Sequence, residues 1–329
     1  MGEGESAALP SEPFKMRGPP PKWAHYPLTA LFYGLGFPLS RVLGLFGKWP
    51  PAFGGSEKAY ARARAYSPAA HDVLVCSYFK SGTNWTMQIA VQIAHRGRAE
   101  FDHVHDLVPW LEVSERSRMA VPVTDDSTWR KSPTGLRVIK THAAFEDIVF
   151  TPEAKYIWVV RDPKDVFVSS YHFLRSGMLA GLMPTPRQWL ERFLSPNTPT
   201  GSWARHVDGG WRNRHRPNLL FLTYEEMKAD LPGAVRRIAA LMGVDLTEDE
   251  FQLVVEQAGF AYMRTVGHKF DPMPMPWAKA EGAMIRRGER GSAGELLDEE
   301  QKRRVDDYWR AELKRLGSDF PYDEKFGIA

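Results

Sequence analysis

From about residue 70 onward, short apolar segments alternate along the chain with amphipathic ones. Four segments are almost continuously apolar, as strands buried on both faces of a parallel sheet should be. They are Asp72–Ser77, Arg137–Thr141, 156–160 and 218–223. Helical periodicity covers residues 82–95, a segment from about residue 164, and residues 225–243, 247–258 and 299–315. The alternation predicts an α/β fold with a central parallel sheet flanked by helices on both faces.

The first 70 residues are predicted to form an N-terminal extension to a single domain that spans residues 71–329. Residues 1–24 are rich in Pro, Gly, Ser and Glu and are expected to be partly disordered. Residues 26–46 are apolar, but Pro38, Arg41 and three glycines interrupt them, which disfavours a membrane-spanning helix. We expect a short helix packed on the domain, with peripheral membrane contact through residues 26–46 as the alternative.

Composition narrows the class of protein. Hydrophobic residues make up 43% and charged residues 25%, which excludes a disordered or fibrous chain. The formal net charge is only +3, so no nucleic-acid partner is predicted. Cys76 is the one cysteine, which excludes an internal disulfide and favours a reducing, cytoplasmic location. His103 and His105 lack a third ligand at metal-like spacing, so no metal is expected.

A phosphate-binding loop is predicted directly after the first strand. Residues 78–85 read YFKSGTNW and lead into the first helical segment. Free N–H groups at a helix start attract an anion, Lys80 adds a full charge, and Thr83 and Asn84 add donors. The loop is not a Walker A motif, because Lys80 precedes the only glycine, Gly82. An ordinary strand–helix turn would use the same glycine, so the spacing alone leaves both readings open.

Five segments, in their order and spacing, resemble the cytosolic-type sulfotransferase family from about residue 70 to the end. YFKSGTNW is similar to the family's 5′-phosphosulfate loop, usually YPKSGTTW. Residues 161–173 (RDPKDVFVSSYHF) resemble its 3′-phosphate motif, and residues 140–142 (KTH) resemble the segment that holds its catalytic histidine. The remaining two segments are 201–228 and 286–288.

The resemblance implies a reaction and a donor. The donor would be 3′-phosphoadenosine 5′-phosphosulfate (PAPS), and the product 3′,5′-adenosine bisphosphate (PAP), with no metal required. The sulfuryl group would pass in line to a hydroxyl or amine, with His142 as the general base. Lys140 would stabilise the sulfuryl oxygens, and Lys80 the leaving 5′-phosphate. A P-loop kinase or nucleotide hydrolase, and a non-catalytic nucleotide-binding relative, are the alternatives.

The resemblance also implies a donor-binding set. It comprises Lys80, Ser81, Gly82, Thr83, Asn84, Trp85, Arg161, Ser169, Tyr224, Phe260, Arg286, Arg287 and Gly288. In this set Trp85 and Phe260 would sandwich the adenine, and Tyr224 would hydrogen-bond near the base. Two departures from the family pattern are that its G-x-x-G-D-W-K-N continuation is lost after Gly288, and that its K-x-x-x-T-V-x-x-x-E dimer motif is not recognisable. No oligomeric state is therefore predicted.

An apolar acceptor pocket is expected around His142. Its candidate walls are Phe79, Trp110, Tyr171 and Phe173, and residues 266–283 have the composition of an adaptable lid. An apolar pocket favours a small phenol, alcohol or lipid-like acceptor over a polysaccharide. The sequence does not distinguish among these three.

Overall fold

The computed structural model describes residues 57–117, 119–176, 183–195, 201–271, 285 and 291–327, together with residues 27, 30, 31, 34 and 35. The predicted donor residues Arg286, Arg287 and Gly288 lie outside the described residues. The same is true of the segment 1–24 and of most of the apolar segment 26–46. Within the described ranges, no helix is long and apolar enough to cross a membrane.

The sheet of the described residues is parallel throughout, as predicted. Its strands are β1 (Asp72–Ser77), β2 (Arg137–Thr141), β3 (Lys155–Val160) and β4 (Leu219–Thr223). They lie in the order β2-β1-β3-β4. β1 pairs with β2 from Asp72 opposite Arg137, and with β3 from Val73 opposite Lys155. The two central strands are thus β1 and β3. The predicted 5′-phosphosulfate loop follows the carboxyl end of β1, and the predicted 3′-phosphate motif follows that of β3.

Helices connect and cover these strands. Those described are α1 (Glu57–Ala65), α2 (Thr83–Ala94), α3 (Ser127–Arg130), α4 (Pro163–Ser176), α5 (Pro186–Phe193), α6 (Trp203–Arg212), α7 (Tyr224–Ala229), α8 (Leu231–Met242), α9 (Glu248–Ala258), α10 (Phe260–Thr265), α11 (Glu299–Arg315) and α12 (Tyr322–Phe326). Side-chain capping determines where several of them begin, as at α9. The Thr247 side chain accepts from the N–H of Glu250, and the Glu250 carboxylate accepts from the N–H of Thr247.

Two apolar cores lie on opposite faces of the sheet. Leu74 and Cys76 of β1 belong to the core that includes side chains of α4, α6 and α11. Val73 and Val75 belong to the core that includes side chains of α2, α8 and α9. Successive side chains of a strand point to opposite faces, so a strand buried on both faces must be apolar at nearly every position. The prediction of helices on both faces is thus confirmed.

Two features of the predicted helices differ in the structure. The helical pattern 225–243 is two helices, α7 and α8, because Pro232 lacks the N–H needed to continue α7. The Asp230 carboxylate caps α8 by accepting from the N–H of Gly233 at 2.8 Å. In addition, α11 is not the last helix, since the short α12 follows it.

Candidate active site

Three predicted site residues meet at one edge of the sheet. Lys80 follows β1, His142 follows β2 and Arg161 follows β3. The connection that leaves β1 runs to β2 on one side of the sheet order, and the connection that leaves β3 runs to β4 on the other. The two connections therefore diverge between the carboxyl ends of β1 and β3. Such a divergence opens a crevice in which α/β proteins bind their ligands.

The loop after β1 has an unusual backbone. Lys80 has a φ of 64°, which lies in the left-handed region that non-glycine residues rarely adopt. Gly82 has a φ of 100°, and a Cβ added there would lie 2.9 Å from Cδ2 of Tyr224. Only glycine fits this second position without a shift of the tyrosine ring. Backbone strain of this kind is concentrated at ligand-binding sites, where the surroundings hold it in place.

The loop fits an anion. α2 starts at Thr83 with no side-chain cap on its N-terminal N–H groups among the described residues. Ser81 Oγ is buried and has no hydrogen-bond partner in the described ranges. Buried hydroxyls are normally paired, so this atom indicates a missing acceptor. Asn84 and Trp85 follow in the first turn, both half-buried. A phosphate group at this position would satisfy the N–H groups and the hydroxyl together.

Arg161 lies buried beside the loop. Its guanidinium stands 4.3 Å from the centroid of the Tyr224 ring, and Nη2 donates to Asp165 Oδ2 at 3.4 Å. Trp203 Nε1 donates to the Arg161 carbonyl at 3.1 Å, which holds the backbone in place. Ser169 is half-buried two turns along α4. The sequence-predicted 3′-phosphate residues Arg161 and Ser169 thus lie just before α4 and within it.

Asp165 connects this region to the residues that follow Gly288. Its carboxylate accepts from the N–H of Gly291 at 3.2 Å and from Ser292 Oγ at 3.1 Å. The same carboxylate also accepts from Arg161. Asp165 lies inside the segment recognised as the 3′-phosphate motif, but its contact with the later segment could not be inferred from that position.

The predicted adenine residues lie near one another. Trp85 Nε1 donates to the Ala258 carbonyl at 2.7 Å, and the Trp85 ring lies 5.3 Å from that of Tyr224. Phe260 begins α10 two residues beyond Ala258, and 43% of it is exposed. A large exposed aromatic ring beside a half-buried tryptophan can stack on a flat base.

His142 is held in one tautomer. Its Nδ1 lies 2.8 Å from the Ser77 carbonyl oxygen. A carbonyl oxygen can only accept, so Nδ1 carries the proton and Nε2 keeps its lone pair. Burial, and the charge of Lys140 next, hold the pKa of His142 well below its ordinary value. The imidazole is therefore neutral at pH 7 and able to take a proton at Nε2.

Two lysines with lowered pKa values lie near this imidazole. Burial lowers the pKa of Lys80 to about 7, and the charges of Arg161 and Lys140 add to the effect. Burial lowers the pKa of Lys140 to about 8, against the opposing charge of Glu112. The charge of Asp271 opposes the effect of burial at Lys80, as that of Glu112 does at Lys140. A bound anion would reverse the penalty on both.

Two of the four predicted pocket residues contact the imidazole, and a third packs against one of them. The Phe79 and Trp110 rings stand edge-on to His142, at 6.1 and 5.7 Å between centroids. Phe173 lies 5.5 Å from Phe79, and Lys80 Nζ stands 4.3 Å from the Phe173 centroid. Tyr171 is buried in the core, where its ring contacts are with His172 and Arg175.

Sequence reasoning missed the residues behind this wall. His105 stacks on Trp110 with centroids 5.8 Å apart, and its Nδ1 lies 2.8 Å from the Val108 carbonyl oxygen. His103 Nε2 lies 3.0 Å from the Asp271 carbonyl oxygen. Both histidines thus have backbone partners, and no group of three metal-ligating residues occurs in the described part of the chain. Glu112, which follows the Trp110 segment, was also missed.

Comparison with known proteins agrees with this geometry. The protein-family model described as "Sulfotransferase domain" matches residues 70–317 of this chain. Sulfotransferase 2B1 of Rattus norvegicus is 31% identical over 260 residues, which cover 77% of this chain and 73% of the relative. The amine sulfotransferase of Oryctolagus cuniculus is 32% identical over 262 residues, which cover 77% of this chain and 84% of the relative.

Solved structures share the fold. Mouse sulfotransferase SULT7A1 complexed with PAP superposes with a TM-score of 0.65 at 24% identity, over 84% of this chain and 96% of that one. Retinol dehydratase in complex with androsterone and the inactive cofactor PAP superposes with a TM-score of 0.64 at 23% identity, over 81% and 87%. Together with the domain match and the two relatives above, these likenesses mean that the chain belongs to the sulfotransferase family.

Proposed function

We propose that this chain transfers a sulfuryl group from PAPS to a hydroxyl or amine of a small apolar, aromatic or lipid-like acceptor. The observation that carries the proposal is the position of His142. Its Nδ1–H is bound to the Ser77 carbonyl, so Nε2 remains basic beside Lys80 and Lys140. The rings of Phe79 and Trp110 make the adjacent space apolar, which supports an apolar acceptor.

The donor would be held by the loop and by α4. The N-terminus of α2, Ser81 Oγ and Lys80 are suited to the 5′-phosphosulfate, because the first two lack other partners among the described residues. Arg161 and Ser169 are suited to the 3′-phosphate, with Arg286, Arg287 and Gly288 as further proposed ligands outside the described residues. The base would stack between the aromatic side chains described above. Bound there, PAPS would supply the activated sulfuryl group.

The chain's own residues then have distinct roles in one in-line step. His142 Nε2 accepts the acceptor's proton as the acceptor oxygen or nitrogen bonds to sulfur. Lys80 stabilises the charge that grows on the departing 5′-phosphate as the bond from its oxygen to sulfur breaks. Lys140 stabilises the equatorial sulfuryl oxygens. No residue changes oxidation state, and the one proton moves from the acceptor to His142.

Calorimetric titration of the purified protein with PAP, and separately with ATP and Mg²⁺, tests the donor site. We expect tight binding of PAP and weak binding of ATP, because only PAP carries the 3′-phosphate that Arg161 would hold. Sulfation of a simple phenol with PAPS as donor then tests turnover. Binding of ATP in preference to PAP would favour a kinase or nucleotide hydrolase and overturn the proposal.

PAP affinity is expected to fall as the pH rises from 7.5 to 9. Since the pKa of Lys80 in the free protein is about 7, the lysine must take up a proton to bind an anion above that pH. Affinity then falls by up to about tenfold per pH unit. The ligand's phosphates are already dianionic in this range, because their second pKa is about 6.

Calorimetry at pH 8 in two buffers of different ionisation enthalpy measures this proton uptake. Lys80→Arg is the matched control, because a guanidinium stays charged throughout. The arginine variant should take up fewer protons and show a shallower decline in affinity, with Lys140 supplying what remains. Equal proton uptake in the two proteins would contradict the assignment of the linked proton to Lys80.

A further inference from the structure

A short segment before β2 in sequence runs alongside its end. The Lys140 N–H donates to the Pro109 carbonyl at 2.8 Å, and the Leu111 N–H donates to the Lys140 carbonyl at 3.0 Å. Trp110 and Lys140 form an isolated parallel bridge. Residues 109–111 therefore act as a minimal edge strand that covers Lys140 but does not reach the N–H of His142.

The side chain of Glu112 supplies the next hydrogen-bond acceptor, beyond the backbone bonds to Lys140. Its Oε1 accepts from the N–H of His142 at 2.5 Å and from Thr141 Oγ1 at 2.9 Å. Thr141 Oγ1 in turn accepts from the N–H of Ala143 at 3.0 Å. One carboxylate oxygen thus fixes the backbone on both sides of the histidine. A hydrogen bond to a charged acceptor is stronger than one to a neutral carbonyl.

The same carboxylate is buried, and it forms no salt bridge with another described residue. Glu112 is 4% exposed, and Oε2 has no hydrogen-bond partner in the described ranges. Arg62 of α1 donates to the backbone carbonyl of Glu112, at 2.8 Å, and not to its carboxylate. A buried carboxylate is costly unless another charge compensates it. Burial raises the pKa of Glu112, and the charge of Lys140, whose backbone pairs with Trp110 two residues before Glu112, acts against this rise.

We propose that Glu112 is a positioning residue for sulfuryl transfer, which fixes the backbone of His142 and keeps Lys140 in its charged form. The proposal rests on the proposed function for its effect on turnover. Its electrostatic part concerns the free protein alone. Lys140 Nζ stands 3.5 Å from the centroid of the Trp110 ring, whose face also favours the cation. The carboxylate and the ring together compensate the burial of this ammonium.

Other titratable groups face Glu112 as well. Burial raises the pKa of Tyr60 in α1 and of Cys76 in β1, and the charge of Glu112 raises both further. The pKa of His142 lies below its ordinary value, that of Lys140 is about 8, and that of Lys80 is about 7. The titrations of the two lysines overlap, so a signal specific to Lys140 is needed to follow it.

Glu112→Gln tests the proposal, because the amide oxygen can still accept both hydrogen bonds while the charge is lost. With lysine labelled at ¹³Cε, and the Lys140 signal assigned from its loss in Lys140→Arg, NMR follows the Lys140 titration directly. We expect its midpoint to fall by about one pH unit in Glu112→Gln. The alkaline limb of kcat/KM, which reports the free enzyme, should move in the same direction, with the PAP dissociation constant at pH 6, where both lysines are largely charged, nearly unchanged.

Two comparisons make the result specific. Glu153→Gln, at an exposed glutamate, should leave the Lys140 midpoint and the pH profile unchanged. In a Lys140→Arg background, Glu112→Gln should no longer move the alkaline limb, because arginine does not titrate there. Glu112→Asp keeps the charge but shortens the reach, so it should lower kcat without a shift of the Lys140 midpoint. This variant tests the proposal even where Glu112→Gln folds poorly.

The outcomes separate this proposal from the proposed function. A Lys140 midpoint that is the same in wild type and Glu112→Gln overturns the electrostatic role, whatever the turnover. A normal kcat in Glu112→Asp overturns the role in fixing His142. A shifted midpoint in a protein that binds PAP but sulfates nothing leaves the charge coupling supported and refutes the proposed reaction.

Discussion

Replacing His142 by alanine is expected to lower kcat by about 10²–10⁴ while PAP affinity changes little. The imidazole can accept the acceptor's proton at Nε2 at neutral pH, since its Nδ1–H is bound to the Ser77 carbonyl. The proposed donor contacts come from the loop after β1 and from α4, which do not include this side chain. Steady-state turnover of PAPS with a phenolic acceptor and calorimetry with PAP measure the two quantities.

His142→Asn sharpens this test, because the alanine variant also removes the bond to Ser77. The asparagine amide can donate to the Ser77 carbonyl much as Nδ1–H does, but it cannot act as a base. We expect the asparagine variant to be as inactive as the alanine variant. His215→Ala, at an exposed histidine, should retain wild-type activity. If His142→Asn kept a tenth of the wild-type kcat, the base would have to be another group.

Replacing Lys80 by methionine is expected to weaken PAP binding by about 10–100-fold and to lower kcat by about 10²–10³. Methionine preserves most of the volume and the contact with Phe173, but not the charge. The loss in kcat exceeds the loss in binding if the ammonium stabilises the departing phosphate more than the bound one. Calorimetry with PAP and single-turnover sulfation separate the two effects.

The same substitution is expected to stabilise the free protein. The pKa of Lys80 falls from 10.5 to about 7 on folding, so the folded state binds this proton less tightly than the unfolded state. The lysine therefore destabilises the fold most below pH 7, and this cost disappears as the pH rises toward 10.5. Thermal unfolding at pH 6.5 should show a higher Tm for Lys80→Met than for wild type. A lower Tm would contradict the destabilising effect of the buried ammonium.

Strands were predictable because burial on both faces makes a strand apolar at nearly every position. β1 and β2 have the predicted bounds, and β3 and β4 differ by one residue at their starts. The order of the strands was not predictable, because every pairing joins residues far apart in sequence. The break between α7 and α8 had a local signal in Asp230 and Pro232, which helical periodicity alone obscured.

Part of the candidate site could be predicted from the sequence, and part could not. Lys80, His142 and Arg161 each follow a strand, so a parallel sheet brings them together without further information. Glu112 precedes its partner His142 by a whole strand and loop, and its hydrogen bond to a backbone N–H leaves no trace in sequence spacing. Tyr171 was assigned to the pocket by its place in a motif; its ring is buried, and its part in the pocket stays a prediction.

The contact between Gly82 and Tyr224 bears on how the chain acquires its site during synthesis. The phosphate loop leaves the ribosome early, but β1 must wait for Lys155 to pair with Val73, and the loop must wait for the Tyr224 ring. Pairings between such distant segments form slowly, because a long chain must first be closed. A nascent chain that ends before β4 would thus hold the loop's residues without the packing that shapes them. We therefore expect the proposed donor site to form late in translation, when β4 pairs with β3.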